Sequence, residues 1–387
     1  MAVRRTRARV CVAVVFFVNG AMFAGWASRV PAIADRLDAG PAVVAVAVLG
    51  LSAGALVGLP LSGVLVLRFG STVVVRAVLV GYAAALVGVA LAPDLARLTT
   101  ALVLLGIGNG MLDVAMNTAA VRVERCYPRQ VMAVFHAQFS FGGLVGALVG
   151  SGAAAAGVTP QRHLPVVALV LLVVGMGASV GLLPDAPARD TGEPATGSPV
   201  SLRGDRRLVL LGLLVFASLL CEGSVYDWSA VYLEDEFGAS PAAAALGFAA
   251  FSLSMACCRL VADRVADRVG GAAYVRGAGV VATAGLGLVL LGPVTAVGVV
   301  GFGVVGLALA GVVPTLFSTA AGGHANPAGA IALVSTIGYA GFLVGPVLIG
   351  GVASVSSLWL AVACLAPLTL AISAGAAVLR RGPAQAG

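Results

Sequence analysis

Apolar residues along this chain come in long unbroken runs, with polar residues gathered into short gaps between them. The runs cover 11–33, 42–66, 77–93, 98–121, 131–152 and 164–183, then 208–233, 242–262, 275–296, 298–320, 328–352 and 357–379. Each is close to the ~20 residues that carry an α-helix across a hydrocarbon layer roughly 30 Å thick. The pattern predicts an all-α polytopic membrane protein with twelve transmembrane helices. One gap is longer than the rest. Residues 184–207, rich in Pro, Gly and charge, read as a flexible linker between a six-helix half at 1–183 and another at 208–387.

The two halves echo each other. Pro41 and Pro241, Gly70 and Gly270, and Arg76 and Arg276 are each 200 residues apart, Asn117 and Ser318 are 201 apart, and Gly146 and Gly345 are 199 apart. A near-constant offset predicts two repeats, and an even number of helices in each makes them parallel. Repeats of this kind place a substrate site near the bilayer midplane and expose it alternately to either side.

Composition agrees with the runs. Of 387 residues, 60% are hydrophobic and only 10% charged, too few charges to cover a soluble protein of this size. The net charge of +7 reports orientation. All 23 basic residues are arginine, and 19 fall at 4–9, 68 and 76, 122–129, 189–207, 259–276 and 380–381. These positions share one side of the membrane, which the positive-inside rule makes cytoplasmic, with both termini there. No nucleic-acid partner is implied. The N-terminal run carries no small-residue cleavage site and reads as a retained first helix. The six cysteines lack metal-ligand spacing, so neither a metal site nor a disulfide is expected. No Walker loop, dinucleotide fingerprint or nucleophile elbow is present. No cofactor and no enzymatic activity are expected.

Candidate chemistry lies in the few polar groups inside the runs, because such groups are costly in lipid and mark a pathway. Asn109, Asp113 and Asn117 recur every fourth residue and share one side of the fourth span. Asp113 lies nine residues from Arg122, about 13 Å inside the boundary; His136 in the fifth span lies seven residues beyond Arg129, about 10 Å inside. The two are therefore at similar depth on consecutive antiparallel helices, and Gln138, two residues beyond His136, is a substrate-binding candidate. Asp113 and His136 are proton-coupling candidates, and a polar clamp between the two helices is the alternative. Asn117 is a binding candidate or interhelical glue. In the first span Asn19, Met22, Trp26 and Arg29 share a face. Asn19 and Trp26 are substrate-binding candidates, an amide and an aromatic plate of the kind sugar sites combine. Trp26 in an interfacial belt and Arg29 snorkelling to the outer headgroups are the competing readings. Glu222 opens the second half as the other intramembrane carboxylate and third proton-coupling candidate, with Tyr226 one turn on as a binding candidate. Gly142, Gly146 and Gly150, like Gly341, Gly345 and Gly350, form small-residue ladders expected to let helices from opposite halves pack closely.

The architecture resembles the major facilitator superfamily, whose members carry a G-x-x-x-D-R-x-G-type gating loop after the second helix and again in the second half. The second-half copy here runs Asp263-Arg-Val-Ala-Asp267-Arg268-Val-Gly270. The first-half copy, Gly63-Val-Leu-Val-Leu67-Arg68-Phe-Gly70, has Leu67 in place of the acid, and Leu102 stands near a common fourth-helix arginine. Arg68, Gly70, Asp267, Arg268 and Gly270 are the gating candidates that the resemblance implies. The patches Phe135–Gly143, Phe16–Gly20 and Glu222–Leu233, with Asp113 and Asn117, are similar to the fucose permease-like sugar–proton symporter branch and its bacterial inner-membrane members. The resemblance implies proton-coupled uptake of a small polar solute such as a sugar, in the inner membrane, by a chain that forms its path as a monomer. Drug/proton efflux is the alternative, and a non-transporting membrane sensor or assembly protein the more distant one.

Overall fold

The computed structural model describes residues 2–38, 41–184, 205–292, 294–322, 324 and 326–379. The linker expected at 184–207 lies, over 185–204, outside them. Twelve helical stretches among the described residues are long and apolar enough to cross a membrane. The first half comprises α1 (Ala2–Ala27) with α2 (Val30–Arg36), α3 (Pro41–Phe69), α4 (Ser71–Leu91), α5 (Leu95–Glu124), α6 (Met132–Ala155) and α7 (Pro160–Ser179). The second comprises α8 (Arg206–Phe237), α9 (Pro241–Val269), α10 (Gly271–Leu291), α11 (Thr295–Leu309) with α12 (Val312–Gly322), α13 (Pro327–Val355), and α14 (Leu358–Ala363) with α15 (Leu365–Gly375).

Three spans are broken: the first between α1 and α2, the tenth between α11 and α12, and the twelfth between α14 and α15. Each break is followed by a proline in the first turn of the next helix, Pro31, Pro314 and Pro367. There the missing N–H costs nothing, whereas mid-helix the ring would clash with the preceding turn. Other helices outrun their apolar stretch. α4 begins at Ser71 directly after Gly70 (φ 83°), and α10 begins at Gly271 after Gly270 (φ 84°), a backbone conformation that favours glycine. Several starts carry side-chain caps. Asp94 accepts from Arg97 N, Asp205 from Arg207 N and Leu208 N, and Ser357 from Leu360 N.

The chain divides into two compact units. One holds Met1–Pro128, Phe135–Ser201 and His324–Leu333; the other holds Arg129–Val134, Leu202–Gly323 and Val334–Gly387. The first buries Phe16, Phe135, Tyr82 and Leu86, and the second Tyr232, Phe251, Phe302 and Phe317. Lipid supplies no hydrophobic drive between helices, so close backbone approach through small residues carries much of the packing. A Cβ at Gly142 or Gly146 would strike the backbone of α1 at Phe17 and Ala21, and one at Gly150 would strike Ser28. In the second unit, Gly341 and Gly345 lie in the same way against Phe216 and Leu220 of α8. The ladders therefore join α6 to α1 and α13 to α8, each within one unit, and not helices of opposite halves as the sequence pattern suggests. The i, i+4 spacing marks a close helix contact but not the partner.

Candidate functional site

In the first unit, α1 brings the polar stripe of α5 next to the start of α6. The Asn19 amide donates to Met116 Sδ at 3.6 Å. Three residues earlier on α1, the Phe16 ring meets His136 edge-on with centroids 5.4 Å apart. Asn117 Nδ2 donates to the Asp113 carbonyl at 2.9 Å and to its carboxylate Oδ1 at 3.2 Å. Farther along α5, Asn109 Oδ1 accepts from the Tyr82 hydroxyl at 3.5 Å. Asn19, Asp113 and Asn117 are all buried, and the Asn19 and Asn117 amide oxygens have no hydrogen-bond partner among the described residues. Buried orphan acceptors are uncommon and mark a place suited to a donor, such as a hydroxyl of a bound solute. Gln138 is half-buried on α6, turned about 200° around the helix from His136.

The outer end of α1 differs from both competing sequence readings. Trp26 is buried, not displayed at the interface, and Arg29 is 2% exposed. Arg29 Nη1 donates to the Gly150 carbonyl at 3.1 Å and Nη2 to the Val158 carbonyl. It therefore ties α1 to the end of α6 and does not snorkel. Arg36 does the same for α4, donating to the carbonyls of Ala90 and Ala92 at 2.6 and 2.8 Å. At Ala90 and Ala92 the Arg36 guanidinium satisfies the end of α4 and opposes the negative pole of its dipole. An open cleft of about 560 Å³ borders Arg29, Asp35, Arg36 and the turn at Val158. Neither Asp113 nor Asn117 lines it.

In the second unit, Glu222 is 3% exposed and lies 3.7 Å from the Arg259 guanidinium. Its other carboxylate oxygen accepts from Ser218 Oγ at 3.3 Å. Arg259, grouped above with the cytoplasmic arginines, instead reaches inward from the eighth span and also donates Nε to the Ala310 carbonyl at 3.3 Å. Sequence reasoning missed it because only the register of α9 against α8 brings it to Glu222. The available signal was its position inside the apolar run. Tyr226, one turn beyond Glu222, meets the rings of Phe248, Phe251 and Phe342 at 5.2, 5.6 and 6.2 Å. With 43% of its surface open, it forms one wall of an aromatic cup.

The loop candidates divide between the units. Asp267 Oδ1 accepts from Gln130 N at 3.0 Å. Asp263, not among the candidates, accepts from Ala133 N and Val134 N at 2.9 and 3.0 Å. Together they cap the N-terminus of α6, where orphan donors and the helix dipole favour a carboxylate. Arg268 is exposed. In the first unit the place of Asp263 is taken by Gly63, where a Cβ would crowd Ala332 at the start of α13. That helix is capped locally, with Asn326 Oδ1 accepting from Gly329 N at 2.8 Å. Asn326 takes one of the free donors of α13, and Ala332 leaves no room for a side chain at Gly63. Arg68 is exposed, its guanidinium 5.2 Å from the adjacent Phe69 ring.

Comparison with known proteins agrees with this architecture. An uncharacterized MFS-type transporter of Yersinia pestis is 33% identical over 383 residues, covering 96% of each chain. An uncharacterized transporter of Sinorhizobium fredii is 36% identical over 352 residues, covering 90% of this chain and 91% of that one. Among solved structures, the transporter FucP in its outward conformation aligns with a TM-score of 0.81 at 13% identity, covering 96% of this chain and 98% of FucP. A second structure, described as the E. coli fucose:proton symporter FucP, aligns at 0.75 with the same identity and coverage. These structures share the fold. Residues 12–346 match the family model described as Major Facilitator Superfamily, and the chain, a multi-pass membrane transporter, belongs to that superfamily.

Proposed function

We propose that this chain takes up a small polar solute, a sugar in the first instance, together with protons. It would do so by alternating access of the six-helix halves 1–183 and 208–387, as a monomer in the inner membrane with both termini cytoplasmic. The observation that carries the reading is the pair of carboxylates buried in the spans, Asp113 and Glu222, each within hydrogen-bond reach of a neutral side chain, Asn117 or Ser218. A reversible proton carrier needs an ionisable group inside the spans, and such groups are costly in lipid and mark a pathway. The orphan amide oxygens of Asn19 and Asn117 supply acceptors for hydroxyl groups. The fold's likeness to a protein described as a fucose:proton symporter supports the same reading.

Drug/proton efflux draws some support from the aromatic cup at Tyr226. Against it, Arg259 offsets the negative charge of Glu222 that would attract a cationic drug.

The test is uptake of labelled L-fucose, D-xylose and D-glucose into proteoliposomes under an imposed pH gradient. Neutralising the coupling carboxylate, in Asp113→Asn or Glu222→Gln, is expected to abolish uphill accumulation while sparing exchange. Full uphill transport by both variants would sink the assignment.

A further inference from the structure

The ion pair of Glu222 and Arg259 has an arrangement that a site for a neutral solute does not require. Along α8, Ser218, Glu222 and Tyr226 form a stripe at one-turn spacing. Along α9, Phe248, Ser252 and Arg259 form a second stripe that faces it. Glu222 meets Arg259, and one turn on Tyr226 meets Phe251 and Phe248, in the order expected of antiparallel helices. The Ser252 hydroxyl, buried seven residues before Arg259 and on the same face of α9, has no hydrogen-bond partner among the described residues. A guanidinium, a spare hydroxyl and an aromatic wall thus lie on one stretch of the second unit. Guanidinium is the group of choice for a carboxylate, which it binds through paired N–H donors. Resting on the uptake reading, we propose that Arg259 is the anchor for the carboxylate of an organic acid. The acid replaces Glu222 as the partner of Arg259 when Glu222 takes up its proton, and its hydroxyl-bearing or aromatic body rests in the cup of Tyr226, Phe248 and Phe342.

The exchange balances in charge. In the empty carrier, the Glu222 carboxylate faces the Arg259 cation. In the loaded carrier, Glu222 holds a proton and the solute carboxylate faces the same cation. One proton and one monoanion enter together, no covalent bond is made or broken apart from the O–H on Glu222, and the net charge of the site is the same in both forms. The other titratable groups of the neighbourhood, among the described residues, include Cys221 and Tyr226 on α8, Cys258 and Asp263 on α9, Tyr274 on α10, and Tyr339 on α13. None of them changes protonation in this step. A buried pair left with one partner is costly, so removal of the Glu222 charge creates the demand for the anion that couples the two fluxes.

Uptake of a neutral sugar with a proton moves positive charge inward and is driven by an inside-negative potential. Uptake of a monoanion with one proton moves no charge. The experiment reconstitutes the full chain in proteoliposomes. It compares matched pairs, D-gluconate with D-glucitol, D-glucuronate with D-glucose, and 4-hydroxybenzoate with 4-hydroxybenzyl alcohol. Each is driven separately by a pH gradient and by a potassium–valinomycin potential. The expected result is that the acid of at least one pair accumulates with the pH gradient and not with the potential, while its neutral counterpart does not accumulate. Arg259→Lys should weaken the apparent affinity for that acid. The double variant Glu222→Gln/Arg259→Gln removes both charges together and should lose less stability than its two single variants combined, its fold being checked by its melting transition. Its apparent affinity for the acid should fall by a factor of roughly 30 or more. Accumulation of a neutral member driven by the potential overturns the acid assignment and leaves the uptake reading standing. So does acid uptake by the double variant at the wild-type level. Failure of every member of every pair under both gradients overturns the uptake reading itself, and the acid assignment with it.

Discussion

Gly142 lies against the Phe17 carbonyl of α1 as Gly341 lies against the Phe216 carbonyl of α8, glycines and carbonyls alike being 199 residues apart. The same contact is thus made in each unit, between its first and fifth spans. A methyl group there collides with backbone, which cannot swing aside as a side chain can. Gly142→Ala and Gly341→Ala are each expected to destabilise by about 1–3 kcal/mol, the cost of overpacking a tight contact. Gly177→Ala is the control. Nothing lies within 4 Å of a Cβ at that helical position, so it should be neutral or gain up to about 1 kcal/mol from helix propensity. Denaturation midpoints of the three purified variants check the contrast. Equal stability of Gly142→Ala and Gly177→Ala would contradict the close approach.

Arg29 offers a second test, because snorkelling and tethering predict different outcomes. A side chain reaching for headgroups loses little when shortened or neutralised. One that donates to the Gly150 and Val158 carbonyls loses both charge-assisted hydrogen bonds when it is shortened. Arg29→Leu is expected to cost about 2–4 kcal/mol, because hydrogen bonds from charged donors are worth more than neutral ones. Arg29→Lys, which reaches at most one of the two carbonyls well, should recover only part. Thermal unfolding in detergent reads the difference, and an unchanged midpoint for Arg29→Leu would restore the interfacial reading.

What was legible in the chain follows from which forces act locally. A run of about 20 apolar residues is imposed by bilayer thickness alone, so all twelve spans could be read without tertiary information. The breaks within three of them were not, because the hydrophobic run continues across a broken helix; Pro31, Pro314 and Pro367 were the visible traces. Asp113 and Glu222 stood out as ionisable groups where lipid forbids them. Their surroundings did not. Whether Arg259 serves the cytoplasmic boundary or Glu222 depends on how α9 is set against α8, and no spacing within α9 records that register. The same limit explains Asp263. The motif marks an acid-bearing loop, but the helix end that the acid caps lies about 130 residues earlier.

At that cap, Asp263 accepts from both Ala133 and Val134, whereas Asp267 accepts from Gln130 alone. Asp263→Ala should therefore loosen the first turn of α6 by about 1 kcal/mol, raising amide exchange at Ala133 and Val134 about fivefold. Asp263→Asn, which keeps an acceptor but not the charge, should raise it less. Asp267→Ala should act mainly on Gln130. Hydrogen exchange read by mass spectrometry over 128–136 separates these outcomes. Equal effects of Asp263→Ala and Asp267→Ala on Ala133 and Val134 would show that the two acids act as a diffuse charge and not as a specific cap.

The pairing of Glu222 with Arg259 can be measured apart from transport. Both groups are almost wholly removed from water, with side chains 4% and 12% exposed. Each alone in that setting bears a desolvation cost with less to offset it. Glu222→Gln or Arg259→Gln should destabilise by about 3 kcal/mol, the range for breaking a buried pair by removing one member. Removing both leaves two neutral amides able to hydrogen-bond to each other, and the double variant should lose much less than the sum of the singles. The discrepancy, a coupling energy of about 1–3 kcal/mol for residues in contact, is what a double-mutant cycle isolates. Unfolding of the four proteins in one detergent supplies it. Additive losses would mean that the 3.7 Å separation carries no net interaction, and Arg259 would then owe its place to the Ala310 carbonyl.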